Sequence, residues 1–342
     1  MAEIELSARI GALIVQHAAT RGVDPERLQK STGFDPRCVA DPDARISLAR
    51  EEALWNEAAR LGGDPDFGIH TAESLLPGAF DVLDYAIRSA PTVRAALERV
   101  ARYNRLQHDA AIYELKELGP ILREEHRFAF GPGEQCRHSA EFTLAAHIVI
   151  SAQLTGTRLL PRAVEFRHAR PADSSEHVRL FGVEPSFLCA TNALEWFACD
   201  LERPVLSADP ALSRVIERHA QALLDAQPRR DVSYADRVRH ELAHALGQGD
   251  ATLKSTAKRL RIAERSLQRR LASEGVSFDA LLDELRRELA VRYLADRTIA
   301  IAEVAYLLGY SEPSPFHRAV RRWTGRTPSE LREPGLARQP RA

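Results

Sequence analysis

The chain reads as two domains. An α+β N-terminal domain with a small antiparallel sheet precedes an all-α C-terminal domain, in which two helix-turn-helix motifs are joined by a long helix. Three observations predict this. Residues 251–271 and 301–320 are two versions of one pattern: a short apolar-periodic helix, a tight turn, and a second helix bearing exposed Arg. Residues 111–130 alternate with period two around Leu118-Gly-Pro120, the mark of a hairpin in a chain otherwise patterned as helices. Charge divides along the same line. From Pro228 onward there are 22 Lys+Arg and 15 Asp+Glu, a net of +7, which leaves −8 for the rest. The whole-chain net of −1 therefore hides a basic module fused to an acidic one.

The N-terminal elements follow in order. Leu6, Ile10, Leu13, Ile14 and His17 lie at helical spacing and predict an amphipathic first helix. Asp24-Pro25 supplies an N-cap and first residue for a second, closed by Gly33. Ser47 opens a third with Leu48, Trp55 and Ala58 inward, stopped by Gly62-Gly63. Asp64-Pro65 turns the chain into a short helix, another runs over about 80–89, and Pro91-Thr92 begins one with Val93, Leu97 and Val100 on one face. In the hairpin, Ala111, Tyr113 and Leu115 alternate with Ile112, Glu114 and Lys116. Leu122, Glu124, His126 and Phe128 then alternate with Arg123, Glu125 and Arg127. Ala140 to Leu154 is an apolar helix. Val164, Phe166 and His168 alternate as a strand, Glu176 to Phe181 forms a helix, and 187–197 holds one or two further strands. A small-molecule pocket is expected between the hairpin and helix 140–154, with no ligand contacts assigned by spacing. Ser207 to Ala226 is a helix with Leu212, Val215, Ile216 and Leu223 spaced for docking, dimerisation or packing. Residues 227–231 are the most linker-like, and Tyr234 to Leu246 opens the C-terminal module.

In the first motif Leu253, Ala257 and Leu260 form the buried stripe, Ile262 plugs the turn, and Leu267 and Leu271 face inward on the next helix. Arg265, Gln268 and Arg269 are left outside, and Arg and Gln are the side chains that reach base edges bidentately in a major groove. In the second motif Ile301, Val304, Ala305 and Leu308 form the stripe, and Gly309 ends the helix where a left-handed residue costs Gly little. Phe316, Val320 and Trp323 point inward, leaving Ser314, His317, Arg318 and Arg321 outside. Ala257-x-x-Leu260 matches Ala305-x-x-Leu308 at an offset of 48, and Leu267 and Leu271 match Phe316 and Val320 at 49. Between the copies, Ser277 caps a helix reaching Leu294, with Leu281, Leu285, Leu289 and Tyr293 in register. At 1.5 Å per residue it spans roughly 25–27 Å. A rod of that length holds two recognition helices about one DNA turn apart, roughly 34 Å.

This stretch resembles the DNA-binding module of AraC/XylS-type transcription regulators. The residues carrying the resemblance are Ser266-Leu-Gln-Arg-Arg-Leu271, Gly275-x-Ser-Phe278, Glu303-Val-Ala-x-x-Leu-Gly-Tyr310, Ser314-x-Phe-x-Arg318 and Trp323-Thr-Gly-x-Thr-Pro-Ser329. The resemblance implies a DNA-facing set of Arg265, Ser266, Gln268 and Arg269 on the first recognition helix and Ser314, His317, Arg318 and Arg321 on the second. Pro315 departs from a helix interior, unless the helix starts near Pro313 and Pro315 falls in its first turn. Leu54-Trp55-x-x-Ala58, Asp64-Pro-x-Phe-Gly68, Leu83 to Ala86, Asn192 and Leu201 resemble the N-terminal sensor domain of the arabinose-binding-like AraC subgroup, more loosely. That implies effector sensing, dimerisation or both.

The expected organisation is 1–206 for effector sensing and dimerisation, 207–231 for a connecting helix and linker, 232–333 for DNA binding, and 334–342 for a tail. The expected function is a sequence-specific, effector-responsive transcription regulator. Its expected partners are double-stranded DNA, a small-molecule effector, a second copy of the chain and RNA polymerase. The alternative is a DNA-repair alkyl transferase carrying an AraC-like module, against which four scattered cysteines count. No Gly-rich phosphate loop, His-Glu-x-x-His or Gly-x-Ser-x-Gly occurs, so no enzyme is expected. Cys38, Cys136, Cys189 and Cys199 have no Cys-x-x-Cys spacing, as in a reduced, cytoplasmic protein, and Cys189 and Cys199 are expected as buried, inert thiols. His126, His138, His147 and His168 fit no standard metal spacing, so neither metal nor cofactor is expected. Glu3, Glu5 and Arg9 interrupt any apolar N-terminal run, which argues against a signal peptide or membrane span.

Overall fold

The computed structural model describes residues 5–109, 111–128, 136–227, 234–246, 249–295 and 299–332, which form two compact units. In the first, β1 (Glu5–Ser7) leads into α1 (Ala8–Thr20), α2 (Pro25–Thr32) and β2 (Arg45–Ser47). Four helices follow: α3 (Leu48–Gly62), α4 (Phe67–Glu73), α5 (Val82–Arg88) and α6 (Val93–Tyr103). The hairpin is β3 (Ala111–Leu118) and β4 (Ile121–Phe128). After it come α7 (Arg137–Thr155), β5 (Ala163–Glu165), α8 (Ser175–Phe181), β6 (Asn192–Phe197), α9 (Ala198–Leu201) and α10 (Pro210–Ala226).

The α+β class and the small antiparallel sheet are as the periodicity predicts. The main sheet runs β3-β4-β6-β5, antiparallel throughout, with Leu122 opposite Trp196 and Val164 opposite Leu194. One face buries Leu122, Glu124 and His126. The other is a lattice of ion pairs in which Arg123 meets Glu125 at 2.8 Å, Glu165 at 2.5 Å and Glu195 at 3.2 Å. Two expectations are corrected. Leu6 is not in the first helix: Ser7 caps that helix, and Leu6 pairs with Ile46 across a two-stranded sheet. Leu6 is fully buried, so the apolar period is satisfied either way, and a partner strand some 40 residues on decides. Phe166 and His168 lie beyond the strand, which stops at Glu165, although both are inward-facing.

The core gathers Trp55, Phe67 and Phe142, with ring centroids of Trp55 6.1 Å from Phe67 and 5.1 Å from Phe142. Gly68 lets α4 lie against the start of α7, since a Cβ there would sit 2.2 Å from the carbonyl oxygen of His138. Arg137 then ties the two helices, bonding Asp66 at 2.9 Å and Glu141 at 2.6 Å. Helix α10 packs on α5 and α6. There Ala220 is buried, and Arg99 bonds Ser213 at 2.7 Å and also Glu217.

The second unit is all helix: α11 (Tyr234–Leu246), α12 (Leu253–Arg259), α13 (Glu264–Ser273), α14 (Phe278–Ala295), α15 (Ile301–Leu307), α16 (Pro313–Thr324) and α17 (Pro328–Arg332). Helix α14 is the spine, burying Leu281, Leu285, Leu289 and Leu294 among residues of both motifs. Thr252 and Ser255 form a capping box that starts α12. The Glu274 carboxylate accepts from the backbone N–H groups of Tyr234 and Ala235 at 2.7 and 2.8 Å and so caps α11. The second motif is clamped to the spine by Arg286, which donates to Leu308 O at 3.0 Å and lies 4.6 Å over Tyr310. Asp283 adds bonds to Arg322 at 2.5 Å and to the Trp323 indole at 2.9 Å. Helix α16 begins at Pro313, so Pro315 occupies its first turn, where backbone N–H groups have no helical acceptor.

Candidate nucleic-acid interface and an internal cavity

Helices α12 and α13 form one helix-turn-helix and α15 and α16 the other. Each second helix buries one stripe: Leu267 and Leu271 on α13, Phe316, Ala319 and Val320 on α16. At 100° per residue, Arg265, Gln268 and Arg269 occupy an arc of about 100° opposite the first stripe, and Ser314, His317, Arg318 and Arg321 an equal arc opposite the second. All seven are exposed, and Ser266 is half-buried at the edge. Ser314, His317 and Arg318 are the positional equivalents of Arg265, Gln268 and Arg269, each 49 residues on.

Their lack of partners separates these side chains from several other arginines of the unit. Among the described residues Arg265, Arg269, Arg318 and Arg321 make no hydrogen bond or ion pair. Arg259 is held by Glu241 and Asp250, each at 3.1 Å, and Arg270 lies 4.2 Å over the Tyr234 ring. Both turns carry a left-handed residue at equivalent positions 48 apart: Arg261 with φ of 54° and Gly309 with φ of 71°. Glycine announces the second turn in the sequence, and nothing announces the first.

A cavity of about 90 Å³ lies in the first unit between β3, β4 and α7, closed by α5 and α6. One water needs about 10–15 Å³ on a comparable measure, so the space takes a small molecule. Its walls are apolar, among them Leu83, Ile87, Leu97, Val100, Phe142 and Ile150. Glu51 also lines it. Glu51 Oε1 accepts from the Trp55 indole at 2.7 Å and the Ser139 hydroxyl at 3.1 Å, while Oε2 is buried with no hydrogen-bond partner among the described residues. Burial pushes the Glu51 carboxyl up to about 7. It pushes His108 down to about 3 and His126 well below the usual imidazole range. Tyr113 stacks on His147 at 5.4 Å, and His147 Nδ1 is 2.6 Å from Glu124. The sequence signal for Glu51 was present: it falls on the inward stripe of α3 between Leu48 and Trp55, an acid in an apolar row.

Asp66, Glu141 and His177 are grouped closely enough for a metal, but Arg137 already bridges the two carboxylates and supplies the cation. The expectation of buried thiols at Cys189 and Cys199 is corrected. Cys38, Cys136 and Cys189 are half-buried and Cys199 is exposed, and none of the four is in a disulfide. Burial still pushes Cys136 up to about 12 and raises Cys38, which keeps both protonated and poorly nucleophilic. Among the described residues no helix is long and apolar enough to cross a membrane.

Comparison with known proteins agrees with this arrangement. Residues 22–205 match the arabinose-binding N-terminal domain of AraC transcription regulators, and 256–334 match a helix-turn-helix domain. The chain is 31% identical over 317 residues to the ornithine utilization regulator of Pseudomonas aeruginosa, covering 92% of each. It is 28% identical over 323 residues to the HTH-type transcriptional regulator VirS of Mycobacterium tuberculosis, again 92% of each. Against the HTH-type transcriptional regulator VqsM of Pseudomonas aeruginosa it is 42% identical over 81 residues, 24% of this chain and 25% of that one. A basic tandem of helix-turn-helix motifs behind a matching sensor-type domain, with a full-length relative above 30% identity, has one conclusion: the chain belongs to the AraC family of DNA-binding transcription regulators.

Proposed function

We propose that this regulator reads two successive major-groove segments, one with α13 and one with α16, and that occupancy of the internal cavity tunes it. The observation that carries the first part is the pair of matching faces whose side chains make no hydrogen bond or ion pair among the described residues, Arg265, Gln268 and Arg269 on one, Ser314, His317 and Arg318 on the other. A guanidinium or amide with no internal partner is available to base edges or phosphates. Arg321 and the half-buried Ser266 flank these faces and suit phosphate contacts. The division of labour is 1–206 for sensing, 232–333 for DNA, and 207–231 for the join. The chain acts as a homodimer, supported by α10, whose Leu212, Val215 and Leu223 are exposed although large and apolar.

Binding selection on randomised duplexes tests the two-segment reading. Gln268→Ala relaxes specificity at one or two base positions, at a cost of about 1–3 kcal/mol if a bidentate contact is lost. His317→Ala costs less and acts about one helical turn away. If both variants alter the same base positions, two-segment docking is wrong.

A further inference from the structure

The ionisable groups lining the cavity are Glu51, His108, Tyr113, His126 and His147, and no Lys or Arg is among the described lining residues. Burial holds His108 and His126 neutral and keeps the Tyr113 phenol protonated. His147 Nδ1 is engaged by Glu124, 2.6 Å away. Glu51 is therefore an acid in a wall that offers it no cation. Among the described residues its Oε2 has no partner, and a second lining acceptor, Gln107 Oε1, has none either, the Gln107 amide nitrogen being committed to Phe80 O at 2.8 Å. Glu51 and Gln107 are 2% and 6% exposed, so water does not serve them freely. Unmet buried acceptors are costly, and both are of the same sign.

We propose that the cavity binds a small cationic amphiphile: an apolar body against Leu83, Ile87, Leu97, Val100 and Phe142, and a protonated amine donating to Glu51 Oε2. This rests on the reading of the cavity as the effector site. An ammonium carries three donors and no acceptor, the complement of a carboxylate. An anionic head group meets Glu51 with like charge and finds no cation in the wall, which makes its burial costly. A neutral alcohol fills the cavity but leaves the carboxylate without a counter-charge.

The test is calorimetric titration of the full chain with n-butylamine through n-octylamine, and with alkanols and alkanoates of the same lengths. The amines bind, more tightly with each carbon until the cavity is full. Each amine binds roughly tenfold or more tighter than its alkanol, as charged hydrogen bonds do over neutral ones. Alkanoates do not bind. In Glu51→Gln, which keeps an oxygen for Trp55 and Ser139, the amines lose roughly tenfold or more in affinity and their advantage over the alkanols disappears. Circular dichroism shows whether the variant is folded; if it is not, the ranking on the unmodified chain decides alone. Alkanols equal to amines, or alkanoates that bind, overturn the cationic assignment and leave the effector site standing. Failure of all three series to bind overturns both.

Discussion

Three arginines of the N-terminal unit and four of the recognition helices are the same residue put to opposite uses. Arg123 is shared among three carboxylates, Arg137 bridges Asp66 and Glu141, and Arg179 is paired with Glu73 at 2.7 Å and Glu176 at 2.6 Å. Arg265, Arg269, Arg318 and Arg321 have no such partner among the described residues. A guanidinium already bonded is not available to a phosphate without breaking what it holds, whereas a free one has only water to lose. Composition counts both alike, so net charge points to the basic end but not to which of its arginines are available to DNA until pairing is known.

Four outcomes break or sharpen this contrast, the first having the largest expected effect. Arg123→Ala leaves Glu165 without a cation among the described residues, while Glu125 keeps Lys116 at 2.6 Å and Glu195 keeps Arg162 at 2.5 Å. It destabilises the protein by about 3 kcal/mol, the low end for removing one partner of a buried pair because two of the three carboxylates stay paired, while the folded protein keeps its DNA affinity. Urea unfolding and duplex titration of the same sample read both. Unchanged stability would mean that the lattice is only surface decoration.

Glu51 is the exception in the N-terminal unit, a buried acid with no cation. Its folded value of about 7 lies above the ordinary 4.5, so the folded state holds its proton longer than the unfolded chain does. Between pH 4.5 and 7 the folded state therefore binds more protons, and stability falls as pH rises through that window. The loss is about 3 kcal/mol, complete above the folded value and absent below the unfolded one. Glu51→Gln removes that slope, so thermal melts of the variant gain on the natural chain from pH 5 to pH 8. Parallel curves would refute the buried, uncompensated carboxylate.

Arg269→Ala is the mirror of Arg123→Ala. It costs about 1–3 kcal/mol of DNA binding. Stability stays within about 0.5 kcal/mol, because an exposed side chain with no partner contributes little to the fold. The same duplex titration and urea unfolding read it, and a stability loss as large as that of Arg123→Ala would abolish the contrast.

The smallest effects lie in the two turns. Gly309→Ala forces a side chain into φ of 71° and costs about 1 kcal/mol. The strain comes from the backbone, since the nearest atom to the added Cβ, on Arg286, is 3.5 Å away. Arg261→Gly relieves the same strain in the first turn and recovers up to about 1 kcal/mol, less the entropy Gly adds to the unfolded chain. Chemical unfolding of both variants gives opposite signs if the turns are equivalent.

The residues also show where sequence reading succeeds. The recognition faces were legible because Leu267 and Leu271, or Phe316 and Val320, settle which side is buried, and the exposed side follows by geometry. Glu51 was passed over because an acid within an apolar stripe is outvoted by its neighbours Leu48, Trp55 and Ala58, and only the packing of Ser139 and Trp55 around it shows that it stays inside. Leu6 was assigned to the wrong element because a single buried residue at a helix edge satisfies both periods.

Sequence alone determined the two helix-turn-helix motifs, the long helix between them, the hairpin and the charge contrast. Each of these elements rests on a period or a cap read within some twenty residues, where the partner surface is supplied by the next element along the chain, and the charge contrast is a count that needs no contacts. Tertiary structure alone decided that β6 lies between β4 and β5, that β1 pairs with β2, that the cavity opens beside Glu51, and which arginines are already bonded. Those outcomes join residues such as Arg123 and Glu195, 72 apart in the chain. A local period records only that a side is buried or wet, and carries nothing about the distant group that will meet it.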